Sequence, residues 1–478
     1  MSQAIEALKA ALPVEQFAFP GTEHYDTLNK SYLSALQSDI TPACIFRPKT
    51  KEEVSVFLKT INPFVVKGEI SFAIRGGGQQ PIPGCCNIQD GITLDLSLLT
   101  GVELKQDRVL IAAGERWGPV YEKLTPEGLA VTGGRSWRGG IGGLALQGGL
   151  SFFSTREGFV CDNVLNYEII LADGTITNAN AEQNSELWVA LRGGANNFGV
   201  VTRYDMRTFK QGPFWGGSVY YFTPSFPGQI ETMVNELQNP HATEETHLML
   251  SIGYAAQFGQ SMCQNQVYYT QEVEKPPVLE PFTSVQPQID QLNSMRMHTL
   301  KEAASEQASD AKDLQRHVAP TPPRDQLTNA ATLQAAADTY LAALDPIKAC
   351  DGLICSLTLQ PYPVSLLKKS SPNGGNSLGL DPTSGPLVSV LLLTYWKSKD
   401  DDEKIIPVMK EVLGKIEQDA TARNQLVPFK YANYAWGFQD PIGSYGAANI
   451  EQLRKVSKQY DPEGVFQKGV PGGFKLFV

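Results

Sequence analysis

Between about residues 40 and 210, apolar residues fall in short alternating runs separated by glycine-rich turns. The run at 92–96 shows the pattern well. Ile92, Leu94 and Leu96 share one face and Thr93 and Asp95 the other, the period of a half-buried strand. Similar runs predict strands at 71–74, 109–113, 164–171 and 198–206, with helices at 51–58, 118–124 and 185–191 between them. Asp173-Gly174 after an apolar run is a turn signal. Residues 1–35 read as two short amphipathic helices, the first with Ile5, Leu8 and Leu12 on one face. Beyond 211 the strands lengthen (217–222, 247–254, 266–270, 353–360, 387–396) and long helical patterns stand between them at 230–237, 333–344 and 403–420. That mixture predicts an antiparallel sheet covered by helices, hence an α+β chain. Segments 311–325 and 370–385, rich in Pro, Gly and Ser, read as exposed loops. The last stretch, 428–478, holds one helix at 447–459 and is too small to fold alone. The chain therefore divides into a helical segment (1–35), a first domain (36–210), a second domain (211–427) and a C-terminal segment (428–478) that packs back on the first.

Composition narrows the partners. A formal charge of −10, with no Lys/Arg cluster, excludes nucleic acid and disfavours anionic membranes. The longest nearly pure apolar run, 387–396, is too short to cross a bilayer. The N-terminus carries no basic and apolar leader pattern, so a cytoplasmic, reducing location is expected. The seven cysteines then read as buried thiols, with a Cys350–Cys355 pair as the alternative. The five histidines lack ligand spacing, His241 and His247 reading as surface or strand residues, and no metal site is expected. Walker, zincin and nucleophile-elbow motifs are absent.

The chemistry lies in the glycines. Arg75-Gly76-Gly77-Gly78-Gln79-Gln80 follows a strand directly. Consecutive glycines let backbone N–H groups converge on an anion, with Arg75 supplying a full charge for a pyrophosphate; a plain turn is the alternative. A second cluster, 133–149, contains eight glycines and is expected to be neither regular helix nor strand. Its Gly140-Ile141-Gly142-Gly143-Leu144-Ala145 matches GxGxxA, but no apolar strand precedes it and no apolar-periodic helix follows, which argues against a dinucleotide fold. A third glycine turn, 192–201, links a helix to a strand.

These motifs, with Val-Leu-Asn-Tyr-Glu-Ile-Ile-Leu-Ala-Asp-Gly at 164–174, Asn-Phe-Gly-Val-Val-Thr at 197–202, Tyr431-Ala432-Asn433-Tyr434 and Tyr460-Asp461-Pro462-Glu463-Gly464-Val465-Phe466, resemble the vanillyl-alcohol oxidase/para-cresol methylhydroxylase superfamily of FAD-linked oxidoreductases, in its berberine-bridge-enzyme-like branch. The resemblance covers about residues 40–210 and 428–478. It implies a PCMH-type FAD-binding domain of two α+β subdomains and a substrate domain whose antiparallel sheet roofs the flavin. It assigns Arg75 to Gln80 to the pyrophosphate loop. Ser136 and Gly139, Gly140, Ile141, Gly142, Gly143 and Leu144 go beside the flavin ring, Gly199 and Val200 at the adenine side, and Asn433 on the element that reaches the cofactor from the tail. Many members link the flavin to a histidine at Gln79 and a cysteine at Ser136. Both nucleophiles are absent here, so FAD is expected to bind non-covalently, with Cys85 and Cys86 expected in the next turn beyond the loop. Gly77→Val is expected to abolish FAD binding by blocking both a positive φ and close anion approach.

The implied activity is hydride removal from a carbon bearing a hydroxyl or amine of a small molecule such as a sugar, alcohol or secondary metabolite. The family's carboxylate base has no match at Leu392-Leu393-Thr394-Tyr395. Tyr434 and then Tyr395 are the candidate catalytic bases, each with a core tyrosine as the plain alternative, and Asp440 and Arg138 are candidate polar supports. Gly139 matches the position that gates oxygen in the family. It favours an oxidase using molecular oxygen, unless Trp137 fills the gap, and a monomer is expected. The alternatives are a flavoenzyme performing cyclising or net non-redox biosynthetic chemistry, distinguished by whether the flavin stays reduced after one anaerobic substrate addition, and a degenerate scaffold that takes up no FAD.

Overall fold

Three sheets organise the chain, and the apolar runs form their strands. The computed structural model describes residues 3–309, 315–318 and 329–477. The first sheet, in the order β1-β2-β4-β3, contains β1 (Phe17–Ala18), β2 (Cys44–Phe46), β3 (Phe72–Arg75) and β4 (Ile92–Asp95). Strand β4 runs parallel to both β2 and β3, so the chain crosses over by the helix Lys51–Val66. Thr50 starts that helix through a capping box with Glu53, and buried Ile61 and Val65 carry it past Pro63, well beyond the predicted end at 58. Segment 1–35 contributes β1 to this sheet, and its helices Gln3–Ala11 and Glu23–Asn29 are followed by a short third at Ala35–Ser38.

The second sheet is antiparallel, with β5 (Val102–Leu104), β6 (Arg108–Ala112), β7 (Leu129–Val131), β8 (Val164–Ile170), β9 (Ile176–Asn180) and β10 (Val200–Lys210). Strand β10 lies at its centre, paired with β6, β7 and β8. The two sheets are the two α+β subdomains expected for the PCMH-type domain.

The third sheet, antiparallel throughout, runs β14-β11-β13-β12-β16-β17-β15. It comprises β11 (Phe214–Tyr221), β12 (Thr246–Ala255), β13 (Gln260–Tyr269), β14 (Arg296–His298), β15 (Arg316–Val318), β16 (Ile354–Tyr362) and β17 (Leu387–Trp396). Helices Phe226–Gln238, Ala330–Ala342 and Asp402–Ala422 cover it. The last buries Ile405, Met409, Val412, Leu413 and Ile416 at helical spacing, and Thr394 of β17 donates to the Met409 sulfur at 3.2 Å. Of the loop expected at 311–325, residues 316–318 are instead strand β15, paired with β17; apart from Gln315, the rest lies outside the described residues.

Strand β15 also ties the third sheet to the N-terminal region. Buried Arg316 forks onto the Asp402 carboxylate at the start of a covering helix and reaches Asp39 of the N-terminal region at 2.6 Å. Asp402 also accepts from the Trp396 indole at 2.7 Å. Removing one partner of such a buried pair strands the other charge. Arg316→Ala is therefore expected to lower unfolding stability by about 3 kcal/mol, read as a reduced urea midpoint with an unchanged slope.

Candidate active site

Strand β3 ends directly in Gly76-Gly77-Gly78, and this loop meets the second glycine cluster backbone to backbone. A Cβ on Gly77 would lie 2.6 Å from the Gly140 nitrogen, and a Cβ on Gly140 would lie 2.6 Å from the Gly77 Cα. The expected reason for glycine at 77 is corrected here: the positive φ of the loop belongs to Gly78 (66°), and Gly77 is excluded from other side chains by contact. The second cluster is also more regular than expected. Its residues Ile141–Leu146 form a short helix, anchored where the Ile141 N–H donates to Glu115 O at 3.3 Å.

A cavity of about 420 Å³ opens between the two loops and the third sheet. Gly76, Gly77, Gly78, Gln79 and Gln80 line one wall, and Ser136, Gly139, Gly140, Gly142, Gly143 and Leu144 another. Gly199 and Val200, where β10 begins, line it as well, and so do Asn433, Tyr434 and Tyr395. A Cβ on Gly143 would meet nothing within 4 Å.

Two expected members are not on the cavity wall. Ile141 is fully buried in the core. Arg75 turns away: its Nη1 donates to Leu28 O at 2.9 Å, its Nη2 to Ser31 Oγ at 2.7 Å, and its guanidinium stacks 3.8 Å over the Tyr32 ring with Asp95 at 3.6 Å. Successive strand residues face opposite sides, so Ile74 lines the cavity and Arg75 cannot. Its expected role on a pyrophosphate is withdrawn on that geometry. Asp440 instead caps its own turn by accepting from Gly443 N at 2.8 Å, and Arg138 is exposed. Trp137 packs against Gly118, where a Cβ would lie 2.4 Å from its ring, so it does not fill the space at Gly139.

The tail reaches in through Asn433. Its Oδ1 accepts from Gly149 N at 3.1 Å, and its Nδ2 donates to Gly143 O at 3.3 Å, clamping the second glycine loop. Next to it the Tyr434 hydroxyl accepts from Arg135 Nη2, and its ring meets Tyr431 edge-on at 5.0 Å. On β17, Leu393 and Tyr395 face the cavity while Thr394 faces the covering helix. Tyr395 stacks on His317 of β15 at 5.2 Å, and burial holds that imidazole down at about 4, hence neutral. Sequence reasoning missed Arg135, Gln307 and His317, for none stands in a periodic pattern or a motif. His247, expected as a surface or strand residue, does lie in strand β12, where it is buried against Arg135.

Cys85 and Cys86 lie in the turn after the loop, where Cys85 N donates to Ile82 O at 3.1 Å, and this turn also lines the cavity. Burial pushes the Cys85 thiol up to about 11, with Lys475 acting the other way, and Cys86 is raised further by burial. Protonated thiols are poor nucleophiles. All seven cysteines are free, so Cys350 and Cys355 are unpaired.

Residues 42–180 match the FAD binding domain family. The chain is 37% identical to the FAD-dependent monooxygenase tpcD of Cochliobolus heterostrophus, covering 95% of this chain and 90% of that protein. It is 33% identical to the FAD-dependent monooxygenase drtC of Aspergillus calidoustus, over 98% and 89%. The chain belongs to this family of FAD-dependent oxidoreductases. Its fold is shared with xylooligosaccharide oxidase from Myceliophthora thermophila C1 (TM-score 0.79, 19% identity, 100% of both chains). A variant of berberine bridge enzyme in complex with (S)-reticuline is also similar (TM-score 0.77, 16% identity, 98% and 97%). These two likenesses show that the chain has their fold. The residues present fit FAD: the cavity floor is bare backbone at Gly76 and Gly143, where a Cβ would enter the space a ligand needs.

Two substitutions separate ligand space from backbone contact. Gly143→Val projects into open cavity and is expected to lower FAD affinity at least ~10-fold, the apoprotein melting temperature staying within a few degrees. Gly77→Val collides with Gly140 and is expected to destabilise the apoprotein itself. Thermal melting with and without added FAD reads both.

Proposed function

We propose that the chain is an FAD-dependent oxidase that removes a hydride from a carbon bearing a hydroxyl or amine of a small molecule, such as a sugar, alcohol or secondary metabolite. One observation carries this reading: a glycine-floored cavity is faced by two tyrosines, Tyr434 and Tyr395, on the side of the third sheet. FAD, when bound, supplies the hydride acceptor. Tyr434, whose oxygen accepts from the Arg135 guanidinium, is the group placed to receive the substrate's hydroxyl proton. Tyr395, stacked on a neutral His317, packs against the substrate from the adjacent strand. FAD is held without a covalent bond. Gln79 offers a delocalised amide, Ser136 a hydroxyl with no activating base, and Cys85 a protonated thiol. With Arg75 engaged elsewhere, backbone N–H groups carry the pyrophosphate.

Molecular oxygen is the electron acceptor. It approaches past Gly139, where a Cβ would already stand 3.3 Å from the Trp117 ring. The protein works as a monomer in the cytoplasm; among the described residues no helix is long and apolar enough to cross a membrane. The relatives' names favour a second reading, in which an oxygen atom enters the product. Labelled dioxygen separates the two: an oxidase puts the label in peroxide, a monooxygenase in the product.

Acid precipitation of the yellow protein is expected to release the flavin into the supernatant, and a pellet that keeps its colour through washing would overturn non-covalent binding. Tyr434→Phe is expected to retain FAD while slowing anaerobic bleaching by substrate ~100-fold or more, the usual worth of a positioned base. Bleaching at the parent rate would remove Tyr434 from the reaction.

A further inference from the structure

The cavity is charged at one point. Among its described lining residues Arg135 alone carries a formal charge, since His317 is neutral and no aspartate, glutamate or lysine lines the wall. Of the other buried arginines, two face carboxylates and a third is held by backbone carbonyls. Arg75 has Asp95, Arg316 has Asp39 and Asp402, and Arg192 has the carbonyls of Val164, Asn373 and Gly375. Arg135 has only neutral partners. Nη1 lies 3.3 Å from His247 Nε2 and against the Met249 sulfur, and Nη2 donates to Tyr434 Oη. The Gln360 side-chain oxygen, in the amide orientation that satisfies both its ends, accepts from Nη2 at 3.2 Å and also from Nη1.

No carboxylate pairs with Arg135 among the described residues, and its Nε–H meets no acceptor there. A part-buried guanidinium with its fork held by four neutral groups, and no counter-charge, is an unfavourable arrangement unless a ligand brings the anion. The partners His247, Met249 and Gln360 come from β12 and β16, so the group is oriented by the substrate-side sheet and not by the glycine loops. The nearby aromatic faces of Tyr434, Tyr431, Tyr395 and His317 suit a flat molecule.

We propose that Arg135 is the anion site of the substrate pocket and that the substrate carries a carboxylate on or beside a planar ring. Resting on the assignment of this cavity to flavin and substrate, the proposal further narrows the substrate class. The carboxylate sits on the Nε–H edge of Arg135, and the reacting hydroxyl meets Tyr434. These two protein groups are hydrogen-bonded to one another, so hydroxyl and carboxylate lie only a few bonds apart. A ring-bearing hydroxy acid meets that requirement.

Calorimetric titration of the purified flavoprotein with benzoate and with its neutral isostere benzamide tests the site without turnover. The parent is expected to bind benzoate at least ~30-fold more tightly than benzamide, in line with one charge-assisted contact. Arg135→Gln is expected to abolish that preference with the flavin content unchanged, and Arg135→Lys to keep part of it. Equal binding of the two probes by the parent, or a preference that survives in Arg135→Gln, overturns the proposal. So does an Arg135→Gln protein whose probe preference is intact but whose sulfite affinity changes, for the guanidinium would then face the flavin. A parent that prefers benzoate yet takes up no FAD supports the anion site and overturns the flavin assignment instead.

Discussion

The backbone contact between Gly77 and Gly140 sets the geometry on which the cavity depends. Each residue is glycine because the other's backbone occupies the place of its Cβ, 2.6 Å away. This contact joins a loop from the end of a parallel strand to a loop far along the chain, and the two become adjoining walls of one space. Asn433 continues the same assembly from the C-terminal tail, with hydrogen bonds to both sides of the second loop. Three distant segments thus meet at positions where side chains are absent and backbone groups remain available to a ligand.

Opposite this bare floor the third sheet brings side chains, and its electrostatics are lopsided. The histidines that touch the region are held neutral by burial, His247 also by Arg135. The thiols of Cys85 and Cys86 stay protonated for the same reason. The one formal charge left among the described lining residues is a guanidinium, hydrogen-bonded to the Tyr434 phenol. Such a pocket gives orientation through a single charge and leaves the rest of the ligand to apolar and aromatic contact.

The pairing Arg316–Asp402–Asp39 acts at a distance from this chemistry but supports it. Strand β15, which carries His317 to the cavity, is short and lies at the sheet's edge. A buried ion pair at its first residue holds it against β17 and against the N-terminal region together.

By itself the chain's pattern determined the elements and the kind of site. Strand β17 spans the residues its apolar run outlines, and Ser185–Leu191 is the helix its spacing predicts, because burial on one face writes a period into the sequence. The glycine clusters marked places of close backbone approach, because that is a property of residue type alone, and they line the cavity. Tertiary structure decided the rest. The helix Ile141–Leu146 has too many glycines to show a period and stands on contacts with Glu115 and Asn433. Arg75 adjoins the glycines in sequence but faces away from the cavity, since neighbouring strand residues point to opposite sides. Arg135, inside a glycine run with no pattern, acquires its importance from β12, β16 and the tail, more than a hundred residues away. Burial and charge matching are properties of what folds against a residue, and no local spacing records them.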